Sequence, residues 1–168
     1  PSRFIMNRCS TFVFVSLALI VLGCPSRIEK QPVDRADSIR AHRFTVEGDQ
    51  LLRAGKDHLA LLSYLEASTL DPYNEVIFNK VAIAYARLQQ FRQAKRASNR
   101  AIRLEPAYSF AYNTHGIIFL GLSQVGNAVQ AFKRAIQLEP DKPAFHINLG
   151  NAQMKMAQFN EARRSFQR

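Results

Sequence analysis

The chain has 168 residues and a formal net charge of +10, from 23 Lys and Arg against 13 Asp and Glu, with two cysteines and four histidines. His42, His58, His115 and His146 lack metal-ligand spacing. The sequence also holds no Gly-rich phosphate loop after a strand, no Ser/His/Asp or Cys/His arrangement and no paired carboxylates, so it offers no catalytic residue, no metal site and no cofactor site.

Residues 11–22, TFVFVSLALIVL, are uncharged and almost wholly apolar, preceded by Arg3 and Arg8 and followed by Gly23 and Cys24. A run of this length is short for a membrane span, and the basic start with a small residue before the break reads as a secretory signal over residues 1–23. The stretch Ile20, Val21, Leu22, Gly23, Cys24 resembles the lipobox of bacterial lipoproteins, with an apolar residue three before the cysteine and a small one directly before it. That resemblance implies a diacylglycerol thioether at Cys24, cleavage after Gly23, and anchoring by several acyl chains where a single one is marginal. The alternatives are an ordinary cleaved signal with a coincidental cysteine and an uncleaved anchor helix. With Cys9 in the leader, Cys24 is the one mature cysteine and no intramolecular disulfide is available. Pro25 stands where an aspartate retains lipoproteins at the inner membrane, so the expected location is the bacterial cell envelope, at the outer membrane facing the periplasm.

Residues 24–40 form the lipidated end and a tether, PSRIEKQPVDRADSIR, with two prolines and many charges; fully extended it reaches roughly 50 Å. Its second half, VDRADSIR, also reads as the opening of a helix.

From residue 41 onward the chain repeats. Pro72, Pro106 and Pro140 stand 34 residues apart, and numbering each unit so that its proline falls at place 32 gives units 41–74, 75–108, 109–142 and 143–168. Place 8 is then Gly48, Ala82, Gly116 and Gly150; place 20 is Ala60, Ala94, Ala128 and Ala162; place 24 is Tyr64, Ser98, Phe132 and Phe166. Places 4, 8 and 11 lie three to four residues apart, as do 20, 24 and 27, the spacing of one helix face, so each unit reads as two amphipathic helices. Small residues let the pair approach, aromatics fill the space, and the proline stops the second helix. The pattern resembles the tetratricopeptide repeat (TPR) family, which implies an all-α, right-handed superhelical solenoid of antiparallel helix pairs. Glu47 and His115 at place 7 and Gln153 at place 11 depart from the family's usual Leu and aromatic, and looser packing is expected there. The chain begins at Pro1 and stops at Arg168 inside the second helix of the last unit, so the expectation is a fragment of a longer array.

In this family the first helices line a concave groove. Carried over place by place, the resemblance gives Asn79, Ile83 and Arg87 from the second unit, Phe110, Asn113 and Ile117 from the third, and Asn148 and Asn151 from the fourth. Amides offer the donor and acceptor that an extended peptide needs, and the apolar residues accept its side chains; equally, asparagine is a common soluble residue at such places. The carboxylate clamp of heat-shock co-chaperones is absent, because Thr45, Asp49, Phe110 and Thr114 occupy places where it needs bases or amides. The charge divides into +2 for the leader, +1 for the tether and +7 for the repeats, of which the second unit supplies +5. There Arg92, Arg96, Arg100 and Arg103 share one face, readable as a solvated stripe or as a surface for an anionic polymer or lipid headgroups.

The function expected is a non-enzymatic scaffold or assembly factor that binds a partner protein or peptide and is held to the membrane by its lipid anchor. No small-molecule substrate is expected, and nucleic acid is disfavoured because no aromatics interleave the stripe. The alternatives are the docking half of an enzyme and an anionic-polymer binder.

Overall fold

The computed structural model of the protein describes residues 30–167. The leader, Cys24 and the first part of the tether lie outside these residues. Among the described residues the regular elements are eight helices: α1 (Arg35–Arg53), α2 (Asp57–Leu70), α3 (Glu75–Arg87), α4 (Phe91–Leu104), α5 (Ser109–Gly121), α6 (Val125–Leu138), α7 (Pro143–Lys155) and α8 (Phe159–Phe166). They fall into four consecutive pairs, one per unit. Helix α1 starts at Arg35, ahead of Ala41, so the second half of the tether is helical.

One turn joins the two helices of every unit. Gly55, Gln89, Ser123 and Ala157, all at place 15, have φ of 73°, 59°, 59° and 57°. Around each, the next N–H returns to a carbonyl five residues back (Lys56 to Leu51, Gln90 to Tyr85, Gln124 to Phe119, Gln158 to Gln153), while the place-15 N–H itself bonds three back. This is the left-handed helix stop that satisfies the last free carbonyls of the first helix. Only the first unit has the glycine that this backbone favours. Between units, α2, α4 and α6 end at Leu70, Leu104 and Leu138, two residues before the repeat proline. Asn74 then caps α3, its Oδ1 accepting from the N–H groups of Val76 and Ile77 at 3.1 and 3.3 Å.

Within a unit, place 8 meets place 24. A Cβ on Gly48, Gly116 or Gly150 would stand 2.5 Å from the ring of Tyr64, Phe132 or Phe166, closer than atoms can pack. The second unit has small residues at both places, Ala82 and Ser98, each fully buried. Tyr64, Phe132, Ala60, Ala94 and Ala128 are fully buried. At Gln153, where looser packing was expected, the side chain is buried, Ser165 Oγ donates to its Oε1 at 2.8 Å, and it lines a cavity with His146 and Leu149.

Gly116→Ala should lower stability by about 1–3 kcal/mol in thermal or urea unfolding, because the methyl group drives Phe132 off its position. In a Phe132→Ser background the same change should cost almost nothing, and an additive result would rule out the contact as the cause. Gln89→Gly should raise stability by up to about 1 kcal/mol, since relief of the left-handed strain exceeds glycine's added chain entropy; the unfolding midpoint measures it.

Candidate functional site

The first helices of successive units touch one another, α3 on α5 and α5 on α7, whereas α2, α4 and α6 each pack between their own first helix and that of the next unit. The first helices therefore line the inner side of the stack. On that side Ile83, Ala86 and Arg87 of α3, Thr114 and Ile117 of α5 and Phe91 at the start of α4 enclose an apolar pocket of about 250 Å³. Sequence reasoning had placed Ile83, Arg87 and Ile117 together and missed Phe91. The signal for it was Gly121, at a place held by Arg53, Arg87 and Lys155 in the other units. A Cβ there would lie 2.2 Å from the Phe91 ring, so the bare backbone admits the ring beneath the end of α5.

Also on the first helices, Phe110, Ile117, Ile147 and Met154 are exposed. Phe110 lies edge-on to Phe145 with ring centroids 5.5 Å apart, and the Lys142 ammonium stands 5.6 Å from its centroid. Asn148 Nδ2 donates to Asn113 Oδ1 at 2.8 Å, bridging α7 and α5. That bond leaves Asn113 Nδ2 as a donor and Asn148 Oδ1 as an acceptor, and Asn151 is exposed one turn further on. Asn79 departs from the expected groove. It is 5 % exposed, its Oδ1 has no hydrogen-bond partner among the described residues, and it lies against Tyr108, whose phenol burial pushes upward in pKa. Position 79 is thus a flank packed between units rather than a contact surface.

Two cations on this side are matched. Lys80 Nζ bonds Asp49 Oδ1 at 2.6 Å, Tyr64 donates to the same oxygen at 2.7 Å, and Arg87 pairs with Asp57 at 2.8 Å. Burial raises the Asp49 pKa, but the Lys80 and Tyr64 hydrogen bonds and the Lys80 charge outweigh it and hold the carboxyl below its ordinary value. Burial, then the Asp49 contact, pushes the Tyr64 phenol upward. The four clamp positions are committed elsewhere as well: Thr45 bonds the Ala41 carbonyl, Asp49 holds Lys80, Phe110 stacks, and Thr114 is buried.

On the outer side Arg92, Arg96 and Arg103 of α4 are exposed, as the stripe requires. Arg100 is not part of it. Its guanidinium lies 4.3 Å from the Phe78 centroid and donates to the Pro72 carbonyl at 3.0 Å, tying α4 to the preceding turn. His115 and His146 pack structurally. His115 Nδ1 lies 2.7 Å from Ser98 Oγ, and His146 Nε2 lies 2.7 Å from the Pro140 carbonyl. Among the described residues no group of three or more His, Cys, Asp and Glu is placed to hold a metal ion.

A sequence profile described as TPR repeat matches residues 116–156. The first TPR of Spaghetti (RPAP3), solved bound to the HSP90 peptide SRMEEVD, is similar in structure: TM-score 0.68 and 29 % identity, over 74 % of this chain and 97 % of that one. The findings support the tetratricopeptide-repeat family. The first TPR domain of human RPAP3 is similar with TM-score 0.68 and 27 % identity, over 72 % of this chain and 95 % of that one. The Sgt2 TPR domain from Aspergillus fumigatus shares the fold, with TM-score 0.70 and 21 % identity over 77 % of this chain and 87 % of that one. No curated protein matches the chain. Stacked repeats of this kind are protein-interaction modules, and the arrangement of α1 to α8 is consistent with a solenoid.

Burial, followed by the Lys95 charge, lowers the His115 pKa from 6.5 to about 4. Its folded value is below its unfolded one, so its contribution to stability is fully present above pH 6.5 and is lost as the pH falls toward about 4. His115→Leu should remove this part of the acid sensitivity, making the melting temperature fall less between pH 7 and about pH 4 than in the parent. An unchanged pH profile would mean that His115 is not held neutral.

Proposed function

We propose that this chain is a non-enzymatic scaffold that holds a peptide or protein partner in the groove lined by its first helices, and that lipid at Cys24 tethers it to the bacterial envelope, at the outer membrane facing the periplasm. The observation that carries the groove reading is the apolar pocket of about 250 Å³ between α3 and α5. An extended peptide presents alternate side chains about 7 Å apart on one side. One such side chain of apolar character fits the pocket, and its neighbours meet Phe110, Ile147 and Met154. The Asn113 donor and the Asn148 acceptor then serve the peptide backbone in the same stretch. The partner is read through apolar side chains and backbone amides, since the residues at the clamp positions offer a terminal carboxylate no grip.

The anchoring half of the proposal rests on the residues before Cys24 and on the charged stretch after it, which lets the repeats stand off the membrane. Crosslinking and affinity capture with the full-length protein test both halves. Ile83→Asp combined with Ile117→Asp should reduce the captured partner at least about tenfold, because two charges would enter the apolar pocket. Cys24→Ser should abolish palmitate labelling and release the protein from membranes while leaving partner capture in detergent intact. Equal capture by the pocket variant would refute the groove reading, and unaltered membrane attachment of Cys24→Ser would refute the anchor.

A further inference from the structure

The outer face holds a second cavity with a different chemistry. Helices α4 and α6 stand apart over α5, and the space between them, about 390 Å³, is lined by Lys95, Tyr112, His115, Phe119, Asn127 and Arg134, among others. We propose that this cleft is a binding site for an acidic peptide segment that carries an apolar side chain, independent of the inner groove.

Two cations sit inside it above aromatic rings. The Lys95 ammonium is 5.0 Å from the Phe119 centroid, and the Arg134 guanidinium is 5.8 Å from that of Tyr112. Among the described residues neither pairs with a carboxylate, and the lining of the cleft contains none. Arg134 gives one hydrogen bond, to Gln137 at 3.3 Å. The aromatic faces hold the cations in place without neutralising them, so the charge stays available to an anion.

The neighbouring outer clefts are built from equivalent places and are not left in this state. In the cleft before it, Arg100 stands at the place of Arg134 and Phe78 at that of Tyr112, but the guanidinium closes to 4.3 Å on the ring and is bonded to the Pro72 carbonyl. In the cleft after it, Glu161 stands at the place of Asn127 and lines the cavity together with Lys133 and Arg164. One cleft is closed and one carries its own carboxylate. The middle one has cations, open space and no acid.

The surroundings select the same ligand. Helices α4, α6 and α8 carry nine basic residues against one acid, Glu161, which gives the outer side a positive field that draws anionic partners in. A bilayer surface is the poorer fit, because Lys95 is half-buried over the Phe119 ring between two helices, where a plane of headgroups does not enter. The apolar walls at Ile102 and Phe119 call for a side chain, and the volume is that of a small ligand site.

The test is fluorescence anisotropy of the full chain with a labelled peptide of alternating Glu and Leu, beside a Lys–Leu peptide and phosphatidylglycerol vesicles. The Glu–Leu peptide should bind and the Lys–Leu peptide should not. Lys95→Gln with Arg134→Gln, and separately Asn127→Glu, should each weaken binding at least about tenfold. Asn127 is exposed, so its replacement leaves the packing alone and only supplies the carboxylate that the next cleft already has. Ile83→Asp with Ile117→Asp should leave this affinity unchanged. The proposal is overturned if the Glu–Leu peptide does not bind, if Asn127→Glu binds it as tightly as the parent, or if only the vesicles bind and the same substitutions abolish that binding.

Discussion

The close approach of place 8 to place 24 is the constraint on which the rest of the structure depends. Two helices of a unit can bury their apolar faces only if the residues at places 8 and 24 together are small enough for the backbones to approach, and in three of the four units a ring lies against bare backbone. Gly48, Gly116 and Gly150 leave room for Tyr64, Phe132 and Phe166 at a separation that admits no Cβ. This contact sets the spacing inside a pair, and with it the direction in which each remaining side chain faces.

Where both places are small, the chain gains a local feature. Ala82 with Ser98 leaves a polar hydroxyl in the core instead of a ring, and His115 from the next unit bonds to it. The same histidine lies edge-on to Phe119 at 4.4 Å, and Lys95 covers that ring from the other side of the cleft. A departure at two places in the second unit thus shapes the outer cleft between α4 and α6.

The inner and outer sides differ in how charge is handled. Inside, Lys80 and Arg87 are matched by Asp49 and Asp57, which fixes them and leaves apolar residues and amides to face a ligand. Outside, basic residues of α4, α6 and α8 outnumber acids, and Arg100 is tied into the packing by the Pro72 carbonyl. The two sides therefore suit partners of different chemistry.

The sequence by itself determined the helix pairs, their 34-residue register, the small-against-large complement of places 8 and 24, and the inner placement of Ile83, Arg87 and Ile117. The helix pairs and their register follow from periodicity, which reports the side of a helix on which a residue lies; the inner placement of those three residues is what the family resemblance implied. The left-handed stop at place 15 was legible only at Gly55, because Gln89, Ser123 and Ala157 adopt it with no glycine to announce it. Depth was not legible either. Asn79 and Asn113 share a place, yet one is buried beside Tyr108 and the other bridges to Asn148. Arg100 shares a face with Arg96 and is held by Phe78 and Pro72. Phe91 and Gly121 lie 30 residues apart and make one pocket wall. Such pairings depend on the distance between neighbouring units, which only stacking fixes, so tertiary structure alone decided which groups are spent on packing and which remain for a partner.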